Sequence, residues 1–208
     1  MIEAVISDFG GVLTVPLIEA FFAVEAQSGA SVEDLSRAMA SVSEKRGSHP
    51  LFDLEKGLLS EPEFLRMLEG ELDGGVSLDG FSEAYFSALE PNERMIDYIA
   101  ELRRRGLRTA LLTNNVREWE PLWRAKLPEI EELFEVVVDS AFVGLRKPEP
   151  EIYELTLQRL GNGIRGEQCL FLDDLEVNCD AARALGMTAV RFVSAEQAIA
   201  ELESAPTQ

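Results

Sequence analysis

Ala4-Val5-Ile6-Ser7-Asp8-Phe9-Gly10-Gly11-Val12-Leu13-Thr14 begins as an apolar run, ends that run in an acid and breaks at two glycines. This pattern predicts a buried strand and a tight turn, with Asp8 at the carboxyl end of the strand. Far downstream, Cys169-Leu170-Phe171-Leu172 repeats the arrangement and ends in Asp173-Asp174. Acids placed where buried strands stop are costly unless they bind a cation or do chemistry. In open α/β sheets the carboxyl ends of strands are where ligands sit. Three carboxylates meeting there suit a hard, oxygen-seeking cation such as Mg²⁺, with Asp8 both metal ligand and nucleophile.

Three further runs rich in β-formers complete a set of five: Arg108-Thr109-Ala110-Leu111-Leu112, Glu135-Val136-Val137-Val138 and Thr188-Ala189-Val190-Arg191-Phe192. From the second run onward they alternate with helical stretches. The expected fold is therefore α/β, a doubly wound parallel sheet covered on both faces. Residues 15–90 break the rhythm. They read as helical throughout, with starts at Ser31-x-x-Asp34 and at Ser60-x-x-Glu63, the latter with Pro62 in the first turn. So long a helical insertion beside a strand-end site predicts a small cap over the pocket, set into a core of residues 1–14 and 91–208. A helix from Glu93 to Arg105 leads back to the sheet and stops at Gly106. The tail 204–208 is expected to fray.

Composition narrows the chemistry. The 208 residues are long enough to bury a full core, and a formal net charge of −19 disfavours nucleic acid and anionic membranes as partners. No apolar stretch reaches the length of a membrane helix, and Met1-Ile2-Glu3-Ala4-Val5 lacks the basic region of a signal peptide. Cys169 and Cys179 form neither a disulfide framework nor a zinc spacing, so a cytoplasmic, reducing location is expected. His49 is the single histidine, in a Gly-Ser-His-Pro loop, which excludes a multi-histidine zinc site and leaves no support for a Ser-His-Asp triad. The chemistry is expected to be that of carboxylates. Gly161-Asn162-Gly163-Ile164-Arg165-Gly166 spells a dinucleotide motif, but it follows a helix and precedes a strand, the reverse of the required order.

Four features fall where strands end: Asp8, Thr113, Asp173-Asp174, and Lys147 in the loop Gly144-Leu145-Arg146-Lys147-Pro148-Glu149-Pro150. Individually each has an ordinary structural reading, Thr113 as a helix cap and Lys147 as a solvated charge. In one sheet they supply a nucleophile, a hydroxyl, a fixed cation and a metal site, the parts of a phosphoryl-transfer centre. A phosphomonoester dianion repels a carboxylate nucleophile until its charge is neutralised, by Mg²⁺ on Asp8 and Asp174 and by Lys147 from the other side. Thr113 and the backbone N–H of Asn114 are expected to hold phosphate oxygens, with Asn115 and Gly11 beside them as substrate-binding candidates. Gly10 and Gly11 allow a turn that aims a backbone carbonyl at the metal.

Asp8-Phe9-Gly10-Gly11-Val12-Leu13-Thr14, Leu112-Thr113-Asn114, Arg146-Lys147-Pro148 and Phe171-Leu172-Asp173-Asp174 together resemble, in order and spacing, the four motifs of the haloacid dehalogenase (HAD) superfamily. Phe171-Leu172-Asp173-Asp174-Leu175-Glu176-Val177-Asn178, followed by Ala184-Leu185-Gly186-Met187, is similar to the branch that contains the N-terminal phosphatase domain of soluble epoxide hydrolases. The resemblance implies that Asp8 is the nucleophile and that Asp8, the Gly10 carbonyl and Asp174 coordinate Mg²⁺. It gives Asp173 a place behind the metal or through water, phosphate binding to Thr113 and Lys147, and support of the metal loop to Asn178. One departure stands out: phosphatases of the family usually carry a second Asp two residues after the nucleophile, as general acid and base, where this chain has Gly10. Without that general acid and base, about 10²- to 10⁴-fold in rate is at stake. This implies a preference for good leaving groups, such as anomeric sugar phosphates, or slow turnover.

The expected activity is Mg²⁺-dependent hydrolysis of a small phosphomonoester through an aspartyl phosphate on Asp8. The alternatives are a binding or regulatory protein that keeps the fold without turnover, and a phosphotransferase or mutase. A receiver domain is excluded by the order of the motifs, since its acidic pair comes first. The sequence leaves the ester open, and monomer and homodimer as well. Phe21, Phe22, Phe52 and Leu58 read either as a pocket roof or as the small core of the cap, and Trp119 and Trp123 either face the pocket or pack beneath it.

Overall fold

The computed structural model describes residues 2–204, so most of the expected frayed tail, 205–208, lies outside the described residues. Five strands, β1 (Ala4–Ser7), β2 (Arg108–Thr113), β3 (Val136–Asp139), β4 (Cys169–Asp173) and β5 (Thr188–Arg191), form one parallel sheet in the order β3-β2-β1-β4-β5. The chain builds outward from β1 to β3, then crosses back to place β4 on the other side of β1. The sheet thus has its topological switch point between β1 and β4, where a crevice opens at the carboxyl ends of the strands.

Helices follow in chain order as α1 (Leu17–Ser28), α2 (Val32–Arg46), α3 (Pro50–Glu55), α4 (Glu61–Glu69), α5 (Phe81–Ala88), α6 (Glu93–Arg104), α7 (Glu120–Ala125), α8 (Ile130–Leu133), α9 (Ser140–Val143), α10 (Pro150–Leu160), α11 (Glu176–Ala184) and α12 (Ala195–Ser204). Successive strand residues point to opposite faces, and both faces are apolar. Ala4, Ile6, Ala110, Leu112 and Phe171 pack with Ile152, Tyr153 and Leu160 of α10 and Cys179 and Ala182 of α11. Val5, Leu111, Leu170 and Leu172 pack with Met95, Ile99 and Leu102 of α6, with α8 and with Ala198 and Leu202 of α12.

Helices α1 to α5 lie in the insertion after β1, which an isolated bridge between Thr14 and Pro91 brackets, and α6 leads from it to β2. The N–H of Val15 donates to the Glu90 carbonyl at 2.9 Å, and the N–H of Asn92 to that of Leu13 at 2.8 Å, so the chain leaves and re-enters the sheet layer at one point. Both capping sequences act as expected at their helix starts. The Asp34 carboxylate accepts from the Ser31 N–H at 3.0 Å, and the Ser31 hydroxyl accepts from the Asp34 N–H at 3.1 Å. The Glu63 carboxylate takes both the N–H and the hydroxyl of Ser60. The apolar side chains of this insertion do not form a core of their own. Ala20, Val24, Leu54, Phe64 and Phe81 are continuous with the cluster beneath the sheet.

Three of the four apolar residues named as roof or core do neither: Phe22, Phe52 and Leu58 are exposed. Phe52 lies beneath the guanidinium of Arg146, 4.0 Å from its ring centre, and its other neighbour is the stacked ring of His49. Phe21 alone packs inward, edge-on to Tyr85 at 5.4 Å. Trp123 packs beneath the site against Phe9 at 5.5 Å, whereas Trp119 lines it. Cys169 and Cys179 are buried free thiols, and no described helix is long and apolar enough to cross a membrane.

Candidate active site

The switch point brings the strand-end acids together. Asp8 follows β1 and Asp173 ends β4, with Asp174 next to it, and carboxylate oxygens of all three lie within 4.8 Å of one another. Lys147 reaches into the same place, its Nζ 2.7 Å from Asp8 Oδ1 and 2.6 Å from Asp173 Oδ2, with only 1 % of its surface exposed. The loop lysine is thus a buried, doubly paired cation. What holds it there is Asn114, just after β2. The Asn114 side chain accepts the Lys147 N–H at 2.8 Å and donates to the Lys147 carbonyl at 2.9 Å, pinning its backbone from both sides.

The hydrogen bonds sort the acids by how much of each is left over. Asp173 accepts from Lys147, from the N–H of Leu175 and from the Asn178 amide, which spans both its oxygens at 2.9 and 3.1 Å. Asp8 Oδ1 takes Lys147 and the Phe9 N–H at 2.7 Å, leaving Oδ2 uncommitted. Asp174 accepts no side-chain hydrogen bond among the described residues, and it faces Gly11. That glycine has φ +73°, and a Cβ there would lie 2.7 Å from Asp174 Oδ2. Gly11 is required by this close approach, and its N–H is taken by the Thr14 hydroxyl at 2.9 Å. Gly11→Ala is expected to destabilise the fold by about 1–2 kcal/mol through the left-handed backbone. It should also weaken Mg²⁺ about 10- to 100-fold by displacing Asp174. Denaturant unfolding and a Mg²⁺ titration check the two effects.

Electrostatics favour a divalent cation. Three carboxylates and one ammonium leave two negative charges unbalanced in a buried site. Burial, opposed by Lys147 and reinforced by Asp173 and Asp174, pushes the Asp8 carboxyl up to about 7. Burial and Asp173 raise Asp174 as well. Burial draws the Lys147 ammonium down, but Asp173 and Asp8 outweigh it and hold the group above its ordinary value. The uncommitted oxygens of Asp8 and Asp174, with all-oxygen donors around them, fit Mg²⁺. Because Asp8 holds a proton below about pH 7 that the metal must expel, Mg²⁺ affinity should fall by up to about tenfold per pH unit there. Calorimetry in buffers of different ionisation heat is expected to record proton release at pH 6 and little at pH 8.5. The same shift means that the metal-free fold loses stability as pH rises from the ordinary carboxylate range through 7, so Mg²⁺ stabilises it more at high pH.

Thr113, at the end of β2, is buried and its hydroxyl makes no hydrogen bond to the protein among the described residues. It lines a cavity of about 60 Å³ with Phe9, Gly10, Leu17, Tyr85, Phe86, Leu89, Asn114, Asn115 and Trp119. Asn115 is partly committed: its N–H donates to the Ser140 hydroxyl at 2.9 Å and its Oδ1 accepts from the Val116 N–H, while its Nδ2 makes no hydrogen bond among the described residues. Beside Gly10, Leu17 of α1 occupies the space a side chain would need, with its methyl carbons 3.2 and 3.3 Å from where a Cβ would stand. Leu17, Tyr85 and the clamp by the Asn114 side chain carry no signal in the sequence, because their roles depend on the packing of the insertion and of a distant loop.

The insertion is tied to the sheet layer on two sides of the cavity. Arg146, next to Lys147, donates to Glu55 at the end of α3 at 2.5 Å, and Lys56 pairs with Glu149. On the other side the Trp119 indole donates to Glu61 of α4 at 2.7 Å, and the Glu61 N–H donates to Glu118.

The family model for haloacid dehalogenase-like hydrolases matches residues 2–186. The chain is 31% identical over 126 residues to bifunctional epoxide hydrolase 2 of Rattus norvegicus, a match that covers 59% of this chain and 22% of that protein. It is 33% identical over 136 residues to phosphatase MT3486 of Mycobacterium tuberculosis (strain CDC 1551 / Oshkosh), covering 61% of this chain and 58% of that one. The matches therefore span less than two thirds of either relative's length. Among solved structures, a HAD family enzyme of Bacteroides thetaiotaomicron in its magnesium complex has the same fold, with a TM-score of 0.72 at 24% identity over 98% of both chains.

Proposed function

The chain belongs to the haloacid dehalogenase-like hydrolases, and from that premise we propose that it is a Mg²⁺-dependent phosphatase of small phosphomonoesters that works through an aspartyl phosphate on Asp8. The observation that carries the reading is the set of buried Asp8, Asp173 and Lys147 with half-buried Asp174, in which one oxygen of Asp8 and the carboxylate of Asp174 accept from no other residue among those described. The similarity to a named phosphatase over 61% of the chain supports the same class of reaction.

Asp8 Oδ2, Asp174 and the Gly10 carbonyl would hold the Mg²⁺, which supplies charge neutralisation at the phosphoryl oxygens. Lys147 binds a phosphoryl oxygen and keeps Asp8 ionised beside an incoming dianion. Thr113 offers its free hydroxyl to a second phosphoryl oxygen. Asp173, with its oxygens committed, positions Lys147 and reaches the metal only through water, and Asn178 holds Asp173. Asn115 ties its backbone N–H to Ser140 of α9 and keeps its side-chain Nδ2 for a substrate oxygen. Residues 15–90 act as the cap of a core formed by 1–14 and 91–208. The cavity of about 60 Å³ that Thr113, Gly10 and Tyr85 line is partly open, and substrate enters there.

A second reading, a binding or regulatory protein without turnover, is favoured by one observation: Leu17 packs against Gly10 where a second acid would stand. The two are separated by measuring phosphate release from a panel of phosphomonoesters with and without Mg²⁺, using Asp8→Asn as the blank. Mg²⁺-dependent release that the blank lacks establishes the phosphatase. Mg²⁺ binding without release across the panel favours the second reading. Transfer to an added acceptor, in place of free phosphate, identifies a phosphotransferase or mutase.

A further inference from the structure

The chain has three tyrosines. Tyr98 donates its hydroxyl to Glu203 at 2.8 Å and Tyr153 donates to the Asn178 carbonyl at 3.0 Å, the ordinary arrangement for a buried phenol. Tyr85 differs. Only 6 % of its surface is exposed, yet its hydroxyl makes no hydrogen bond to the protein among the described residues. The ring is fixed by stacking on Trp119 at 5.3 Å, by Phe81 at 6.2 Å and by the edges of Phe21 and Phe86 at 5.4 and 5.3 Å. The side chain lines the same cavity as Gly10 and Thr113. It comes from α5, so it enters the cavity from the insertion, opposite the strand ends. The ring is buried but the hydroxyl oxygen is not among the fully buried atoms left without a partner, so it is accessible from the cavity that the side chain lines.

We propose that the Tyr85 hydroxyl donates its proton to the leaving-group oxygen of the ester, doing from the insertion the work that an acid at position 10 does in related phosphatases. The proposal rests on the phosphatase reading of the site. As Asp8 forms its bond to phosphorus, the bond to the ester oxygen breaks and its electron pair goes to that oxygen, which takes the phenol proton and leaves as the alcohol. Water then attacks phosphorus and releases Asp8, and gives a proton back to the phenolate. Burial, together with Asp174 and Asp8, holds the phenol above its ordinary value, so it is protonated whenever substrate binds. A phenol of that kind is a weak acid, suited to strongly basic alkoxides and of little use to leaving groups that need no proton.

The test compares Tyr85→Phe with the unaltered protein on an alkyl phosphate and on p-nitrophenyl phosphate, and measures binding of inorganic phosphate to both Mg²⁺-loaded proteins. The variant should fold with an unchanged thermal midpoint and lose about 10²-fold in kcat on the alkyl ester, against less than about threefold on the aryl ester. Affinity for phosphate, whose fourth oxygen stands in for the leaving oxygen, should fall about tenfold. Equal losses on both esters, or no loss on either, overturn the proposal, as does unchanged phosphate affinity. If the unaltered protein binds phosphate but releases none from either ester, the phosphatase reading fails by itself, and the proton-donor role fails with it. A Tyr85-dependent phosphate affinity would then mark Tyr85 as a binding group only.

Discussion

Asp8→Asn is expected to lower Mg²⁺-dependent phosphate release by at least about 10⁴-fold in kcat, to the level of the assay blank. The amide retains the shape of the carboxylate, and its oxygen still accepts from the Phe9 N–H and from Lys147, as Asp8 Oδ1 does at 2.7 Å in both cases. What it lacks is the anionic oxygen that, in the proposed mechanism, attacks phosphorus and ligates the metal. Loss of structure is a poor explanation for this loss of activity, because burial already pushes the Asp8 carboxyl up to about 7 and the charge opposes folding above that pH. The metal-free variant should therefore be at least as stable as the unaltered protein at pH 8, and less responsive to added Mg²⁺. Thermal unfolding with and without Mg²⁺, beside the activity assay, checks all three expectations. Residual Mg²⁺-dependent turnover within tenfold of the unaltered rate would remove Asp8 from the role of nucleophile.

Lys147→Met is expected to act on stability as well as on rate. The methionine fills a similar volume but removes the cation that pairs with both Asp8 and Asp173, which are 8 % and 0 % exposed. Breaking a buried ion pair by removing one partner costs about 3–5 kcal/mol, because the remaining charges stay buried without a counterion. The loss should be smaller at pH 5.5, where Asp8 is protonated, than at pH 8, and added Mg²⁺ should restore part of it. The rate should fall about 10²- to 10³-fold even where the fold is restored, since the cation proposed to bind the phosphoryl oxygen is gone. Urea unfolding at the two pH values with and without Mg²⁺ measures the first effect. An unchanged midpoint at pH 8 would mean that Lys147 is a solvated charge after all.

The sheet was legible because strands buried on both faces must be apolar along their whole length, and helices that cross between them must carry caps. Ala4–Ser7 matches its expected run residue for residue, and the other four strands agree to within one residue at their ends. The carboxylates were legible for a related reason: an acid at the end of a buried strand has few uses other than a cation or a reaction. The insertion was legible as helix through Ser31 and Ser60, but the fate of its aromatic residues was not. Phe21, Phe22 and Phe52 look alike in sequence, yet one supports Tyr85 and two are exposed.

The parallel sheet, the family and the placing of Asp8, Thr113, Lys147, Asp173 and Asp174 at strand ends could be read from the chain alone, because local apolar patterning and the unfavourable burial of charge are written in consecutive residues. The division of labour among those acids was decided only by the tertiary structure. Asp173 is committed to Lys147, Leu175 and Asn178, whereas Asp174 is left open against Gly11. The same holds for Asn114 clamping Lys147, Leu17 standing against Gly10, and Tyr85 entering from α5. Each of these depends on contacts between segments far apart in the chain, where hydrogen-bond saturation and close approach follow from packing and leave no local pattern to read.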